Sequence, residues 1–349
     1  MSFRSGSTPA YAITKMRTFS KYGKIRQLGH EENKEIFSNP EEEILIQEKI
    51  DGANFRFMFK DGNIIFGSRT QELSEDVEHK YAKNFRRCID YVNKQITDRA
   101  MKFPGSVVSL WKKYEGLVFY GECCVSHTMP YNWEMIPPYL GFDINNEDNP
   151  NYPKRYLPYL DVLAIFWELG LTVVPQVNLI KAKDIGKVDD SKVPKSLYAS
   201  LSVENQQAEG IVFKKYSFIE GSKEPQDQQI FAKYVRDKFK EDNMKVFGGR
   251  SVKPNTDNDE GELIFKYCTN ARIDKMIFKL LDDGEKLDLP LMSKLPKSVL
   301  EDIYEEHGKD ILTSNWTIDF KELRKKVPAR CLSVLKQVMV NNSLNDTKV

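Results

Sequence analysis

The sequence predicts an α+β protein with mainly antiparallel sheets, followed by a small all-helical domain. Three observations carry this. Short apolar runs bounded by Gly, Asp or Asn recur from about residue 15 to 247 without a regular βαβ rhythm. A stretch rich in Gly, Asn, Asp, Ser and Pro follows at 248–261. Beyond it, apolar residues recur at three- and four-residue spacing.

The predicted strands are Ile44–Gln47, Phe55–Phe59, Ile64–Gly67, Leu117–Gly121, Tyr139–Ile144, Gly210–Lys214 and Gln229–Val235. Helical patterning fits Glu75–Thr97 and Tyr156–Leu169. These elements form one domain over 16–247, after an N-terminal extension at 1–15. In the second domain, 262–342, the helical stripes are Ile273, Met276, Ile277 and Leu280, then Val299, Ile303 and Tyr304, then Leu323, Val327, Cys331, Leu335 and Val338. Pro290, Pro296 and Pro328 are expected to punctuate the helices, and 343–349 is a tail. No internal repeat is found.

With 349 residues the chain is long enough for two domains and a sizeable core. Its 52 Lys+Arg against 51 Asp+Glu give a net charge of +1, so no global field draws it onto nucleic acid. Any such binding must come from a local groove. Five cysteines without Cys-x-x-Cys spacing argue against a disulfide framework or a zinc site and suit a reducing compartment. An intracellular, by default cytoplasmic, location is expected. The acid-free stretch from Met1 to Gly29 leaves an organelle address open. Asp161 and Glu168 interrupt the longest apolar run, so no membrane association is expected.

The chemistry centres on Glu48-Lys49-Ile50-Asp51-Gly52-Ala53-Asn54-Phe55. Lys49 ends an apolar run and is followed at once by the turn signal Asp-Gly, so its amine is held against a wall. Burial and a neighbouring cation are expected to lower its pKa and free the amine to attack phosphorus. Four later strands add carboxylates and lysines: Glu122 after Gly121, Asp143 after Phe142, Glu209 before Gly210 with Lys214 beyond, and Lys233. Strand alternation sends Phe142 and Asp143 to opposite faces. Three carboxylates and three lysines at strand ends suggest a magnesium–triphosphate site. No Gly-x-x-x-x-Gly-Lys loop exists, which excludes ordinary P-loop binding. Each segment alone reads as a solvated strand end; their order is what points to a site.

That order resembles the covalent nucleotidyltransferases, which include polynucleotide ligases and mRNA capping enzymes. Their Lys-x-Asp/His-Gly, Gly-Glu, aromatic-acid, Glu-Gly and lysine motifs fall here at Lys49–Gly52, Gly121–Glu122, Phe142–Asp143, Glu209–Gly210 and Lys233. The chain is most similar to the RNA ligase 2 branch, whose Glu-Lys-Ile-His-Gly-x-Asn-Phe is reproduced at Glu48–Phe55 except for Asp51. Arg69-Thr70, Phe19–Tyr22 and Ala208–Lys214 match further motifs of that branch. The resemblance spans about 16–245 and continues more weakly into the helical tail.

The resemblance implies an ATP-grasp-like adenylyltransferase domain and an ATP-dependent RNA ligase. Lys49 is the nucleophile that carries AMP. Glu48, Ile50, Asn54, Arg69, Glu122, Phe142, Lys214 and Lys233 are implied nucleotide contacts, with Phe142 stacking on adenine. Glu209 is the implied ligand of Mg2+ or Mn2+, and Glu122 either shares that task or holds the ribose hydroxyls. The implied substrate is RNA with 3′-hydroxyl and 5′-phosphate ends, foremost a nicked duplex, bound by a monomer. A DNA ligase or capping guanylyltransferase shares the core motifs but normally carries an OB-fold after it; a non-catalytic nucleic-acid-binding descendant is the other alternative. One position departs from the branch. Its second lysine of the last motif is Val235 here, and alternation predicts that Val235 shares the phosphate-facing side with Lys233, with Lys238 the nearest replacement.

Overall fold

The computed structural model describes residues 20–69, 72–73, 82–102, 107–124, 129–152, 156–203, 205–216, 229–236 and 258–346. Among the described residues, ten strands form two five-stranded sheets. The first has the order β1 (Arg26–Gln27), β10 (Gln229–Val235), β9 (Gly210–Tyr216), β2 (Glu43–Lys49) and β8 (Gln176–Lys181). The second has the order β5 (Glu72–Leu73), β4 (Asn63–Gly67), β3 (Ala53–Lys60), β6 (Leu117–Cys123) and β7 (Tyr139–Asn146). Among these strands only the short β1–β10 pairing is parallel. The expected antiparallel α+β architecture is therefore present.

The chain passes from the first sheet to the second through Ile50–Gly52, the turn after Lys49. That crossing is tight enough to demand glycine. A Cβ on Gly52 would lie 2.4 Å from the Cys123 carbonyl oxygen and 2.9 Å from Glu122 Cγ. Gly210 is constrained in the same way: its Cβ would lie 2.0 Å from the Tyr234 oxygen. Gly52 lets the crossing turn lie against the end of β6, and Gly210 lets the start of β9 lie against the end of β10.

Each sheet has its own apolar layer. On the second, Phe55, Phe57, Phe59 and Phe119 pack under α1 (Ala82–Lys102) and α3 (Tyr159–Glu168), with α2 (Val107–Tyr114) alongside. Phe57 and Phe119 stack at 4.5 Å, a cross-strand pair that also holds register. The first sheet buries Ile44, Ile46, Ile211, Phe213 and Ala232. α1 ends five residues later than the helical pattern suggests; the first part of that pattern, 75–81, lies outside the described residues. β8 gave no strand signal because it is an edge strand, with Leu179 exposed.

After residue 257 the chain is helical: α4 (Asp259–Tyr267), α5 (Asn270–Asp282), α6 (Leu295–Thr313) and α7 (Phe320–Asp346). They share a separate core that includes Ile273, Met276, Ile277, Val299, Ile303, Val327 and Leu335. α4 starts earlier than expected because Asn258 caps it, accepting from Gly261 N at 3.0 Å. What reads as the end of a linker is thus a cap and a first turn; 248–257 lie outside the described residues. Pro290 and Pro296 stand in first turns, as punctuation requires, but Pro328 lies inside α7. Tyr304 is exposed and does not share the buried stripe of Val299 and Ile303.

Val235 departs from the alternation argument. It is buried among Ile50, Cys124, Met129, Tyr131 and Leu140, not open to the cleft that Lys233 lines. Opposite Gly210, where nothing holds the backbones apart, the end of β10 sinks against the Ile50 turn. Lys238 lies outside the described residues. Val235→Lys should therefore cost at least about 2 kcal/mol in chemical denaturation, because an ammonium would enter an apolar cluster. Unchanged stability would return position 235 to the cleft.

Candidate active site

The register of β2 and β9 builds the centre. Lys49, the last residue of β2, pairs with Gly210, the first of β9. The residue before Gly210 is therefore beside the lysine, and Glu209 Oε2 accepts from Lys49 Nζ at 2.8 Å. From the second sheet, Glu122 on β6 pairs with Asn54 on β3 and adds a second negative charge near the amine. Asp51 fixes the turn between the sheets. Its carboxylate accepts from Met129 N at 2.8 Å, and its own N–H donates to the Tyr131 hydroxyl at 2.8 Å.

The electrostatics correct one expectation. Burial alone would push the Lys49 pKa down, but Glu209, Glu122 and Asp51 together outweigh it and hold it above the ordinary lysine value. Lys233 is a cation near enough to interact with Lys49, but the acids around Lys49 prevail. Burial raises the Glu209 pKa, with Lys49 pulling against it. The resting pair thus keeps its proton on the amine.

A cleft opens beside this pair. Its lining includes Glu48, Lys49, Ile50, Asn54, Arg69, Glu122, Phe142, Lys214 and Lys233. Of the expected site residues, only Glu209 is outside the lining, reaching it through its contact with Lys49. The roles differ in detail. The Glu48 carboxylate accepts from Ser196 Oγ at 2.5 Å and Leu197 N at 3.2 Å, which ties the cleft wall to the 196–197 loop. The Ile50 side chain belongs to the apolar cluster with Val235. Asn54 Oδ1 is buried and has no hydrogen-bond partner among the described residues. Thr70, expected beside Arg69, lies outside the described residues.

Phe142 and Asp143 do not part to opposite faces. Tyr120 pairs with Asp143 and Gly121 with Gly141, so Phe142 is an extra residue in β7, a bulge. Both side chains consequently meet the same neighbours. The Phe142 ring lies 4.9 Å from Tyr22 and 5.2 Å from Lys214 Nζ. Asp143, fully buried, accepts from Tyr22 and Tyr216 hydroxyls at 2.6 Å each and from Lys214 Nζ at 2.7 Å. Lys214 also donates to the Phe142 carbonyl at 2.9 Å, which leaves one of its three N–H groups. Burial lowers the Lys214 pKa despite Asp143.

Some cleft residues had no strong local signal. Tyr22 stands on the wall as a buried aromatic, within a segment noticed only by resemblance. Lys275 and Glu306 come from α5 and α6, and no sequence spacing links them to the strands. Glu306 Oε1 accepts from Lys233 Nζ at 3.3 Å. Burial, with Lys275 and Lys49 nearby, brings the Lys233 pKa down to about 8 against the pull of Glu306.

The charge arrangement can be tested without any nucleotide. Because carboxylates hold the Lys49 pKa up, the amine is scarce at neutral pH and grows about tenfold per unit below its pKa. Glu209→Gln removes one of those carboxylates, so the pH midpoint for labelling Lys49 with an amine-reactive ester should fall. Mass spectrometry of the labelled peptide reads the shift, and an unchanged midpoint would show that the pair does not control the proton.

A comparison with curated proteins returns no match. Matching solved structures include Naegleria gruberi RNA ligase with PPi, 19% identical over 64% of this chain and 57% of that one, with a TM-score of 0.43. A mutant of the same enzyme with ATP and Mn matches at 19% identity over 64% of this chain and 58% of that one, TM-score 0.43. The chain thus spans less than two thirds of the length of those ligases. The family model for RNA ligase matches residues 42–235, the segment that holds both sheets' site-bearing strands. The chain belongs to the RNA ligase family.

Proposed function

We propose that this RNA ligase is ATP-dependent and joins 3′-hydroxyl to 5′-phosphate RNA ends through a lysyl-AMP on Lys49. The observation that carries this is the half-buried Lys49 amine, held 2.8 Å from Glu209 beside a cleft walled by an aromatic and by further lysines. Lys49 Nζ attacks the α-phosphorus of ATP; the N–P bond forms as the bond to pyrophosphate breaks. AMP then passes to an RNA 5′-phosphate, and a 3′-hydroxyl displaces AMP as the phosphodiester forms.

The chain's own groups have definite tasks. Asp51 and Gly52 hold the amine's strand end in place, and the bulge at Phe142 presents its ring for adenine. Asn54, with its unpartnered Oδ1, is placed for a ribose or 3′ hydroxyl donor. Arg69, Lys233 and the remaining N–H of Lys214 serve phosphate oxygens. Glu209 and Glu122 fit a divalent cation, Mg2+ or Mn2+. Both acids act on the Lys49 amine, and the described residues hold no group of three or more His, Cys, Asp or Glu that could bind a metal, so phosphate or water oxygens would have to complete the ion's shell. Such an ion, when bound, screens the two acids from the amine, favours its neutral form and offsets phosphate charge. RNA ends, foremost those of a nicked duplex, are the substrate class we assign, with the helical region engaging backbone phosphates.

Incubation with labelled ATP and magnesium should place AMP on Lys49, and Lys49→Ala should form no adduct and fail to seal 5′-phosphate RNA. An adduct on another lysine, or transfer from GTP in preference to ATP, would overturn the assignment. Phe142→Ala should raise the ATP concentration needed for half-maximal adduct formation roughly tenfold, whereas Phe142→Tyr should keep it near wild type, since a base on an aromatic ring is worth ~1–3 kcal/mol.

A further inference from the structure

The helical region places charges directly over the cleft. α5 carries Arg272 and Lys275; α6 carries Asp302, Glu305 and Glu306. Both helices are rigidly fixed by Ile273, Met276, Val299 and Ile303 in the helical core. Around the rim, Lys24 pairs with Asp302 at 3.6 Å and Arg26 with Glu305 at 3.1 Å. Glu306 goes further in, to the cleft lining itself.

The surroundings of Glu306 are those of a bound anion. Its Oε1 lies 3.3 Å from Lys233 Nζ and 3.4 Å from Lys275 Nζ, and its Oε2 lies 3.3 Å from Arg272. Burial opposes its ionisation, yet Lys233, Lys275 and Arg272 outweigh that and hold its pKa far below the carboxylate range. The relation is not reciprocal: Lys233 also feels the other lysines, and its charge is the less secure of the two. Two ammoniums brought to one oxygen repel each other unless an anion stands between them. Lys275 supplies, from the helical region, a second lysine beside Lys233, whereas Val235 is buried away from the cleft.

Resting on the ATP-dependent reading above, we propose that Glu306 occupies the seat of a distal phosphate of the nucleoside triphosphate. Lys233 and Lys275 together clamp that phosphate, and Glu306 must leave for it to bind. The seat belongs to a distal phosphate because the α-phosphorus must lie at Lys49, and Lys233 pairs with neither Lys49 nor Glu209 but stands close enough to feel both. The helical region is then both a source of phosphate contact and an internal competitor for it.

Calorimetric titration of the full chain with inorganic tripolyphosphate tests this. Glu306→Gln should tighten binding roughly fivefold, and Lys275→Met should weaken it by a similar factor, the latter as expected for one exposed charge contact. The gain from Glu306→Gln should vanish in the double variant. Melting temperatures are read alongside; if Glu306→Gln fails to fold, Lys275→Met still decides, since Lys275 is 44% exposed and contributes no apolar core. Unchanged tripolyphosphate affinity in Lys275→Met would overturn the clamp. A Glu306→Gln gain confined to a 5′-phosphorylated RNA oligonucleotide would overturn the assignment to the nucleotide and give the seat to the RNA end. Lysyl-AMP formation by the wild-type chain separates the readings. Its absence defeats the ATP-dependent function, whereas its presence with unaltered polyphosphate binding in the variants defeats this inference alone.

Discussion

The pair of Lys49 with Glu209 depends on two backbones meeting at glycines, and most of the site follows from that approach. The end of β10 can close on β9 only because Gly210 has no side chain to strike Tyr234, and on its other edge the same Gly210 pairs with Lys49 of β2. The chain can then cross to the second sheet only because Gly52 fits against Cys123. The Cα positions of a lysine and an acid are thus brought side by side by main-chain register. The carboxylate's cost is also plain: it holds the amine in its protonated, unreactive state until another positive charge takes the acid's attention.

A second buried acid organises the opposite wall. Asp143 gathers two tyrosine hydroxyls and the Lys214 ammonium with no exposure to solvent. Three donors on one carboxylate satisfy it fully, which is the condition under which a buried charge is tolerated. Tyr22 comes from the N-terminal segment and Lys214 and Tyr216 from the first sheet, so Asp143 on β7 ties both sheets and the early chain around the aromatic wall. The Phe142 bulge is what allows the ring and the acid to serve the same neighbourhood.

Much of this was legible in the sequence because it is local. Seven strands could be read from apolar runs with turn residues at their ends, and the motif residues sit at those ends. Elements fail where the signal is tertiary. β8 is an edge strand whose exposed Leu179 obscures its pattern, and Asn258 looks like linker until its side chain caps α4. Period-2 reasoning misplaced Asp143 relative to Phe142 because it has no term for an inserted residue. It misplaced Val235 because it has none for a strand end drawn inward beside a glycine. Lys275 and Glu306 were invisible for another reason: they reach the cleft through the packing of α5 and α6, and a helical period reports which residues are buried, not what the exposed ones face.

The cations of the cleft share one feature that bears on what the site accepts. Lys49 is paired with Glu209, Lys214 with Asp143, Lys233 with Glu306 and Lys24 with Glu305. An arriving monoanion therefore gains little, since each lysine it reaches already has a carboxylate and one partner is exchanged for another. A polyanion with its own divalent ion changes that balance, because the metal satisfies the displaced acids while the phosphates satisfy the freed lysines. On the ATP-dependent function proposed above, selectivity for a metal-bound polyphosphate would arise from exchange of partners and would need no excess of positive charge on the protein.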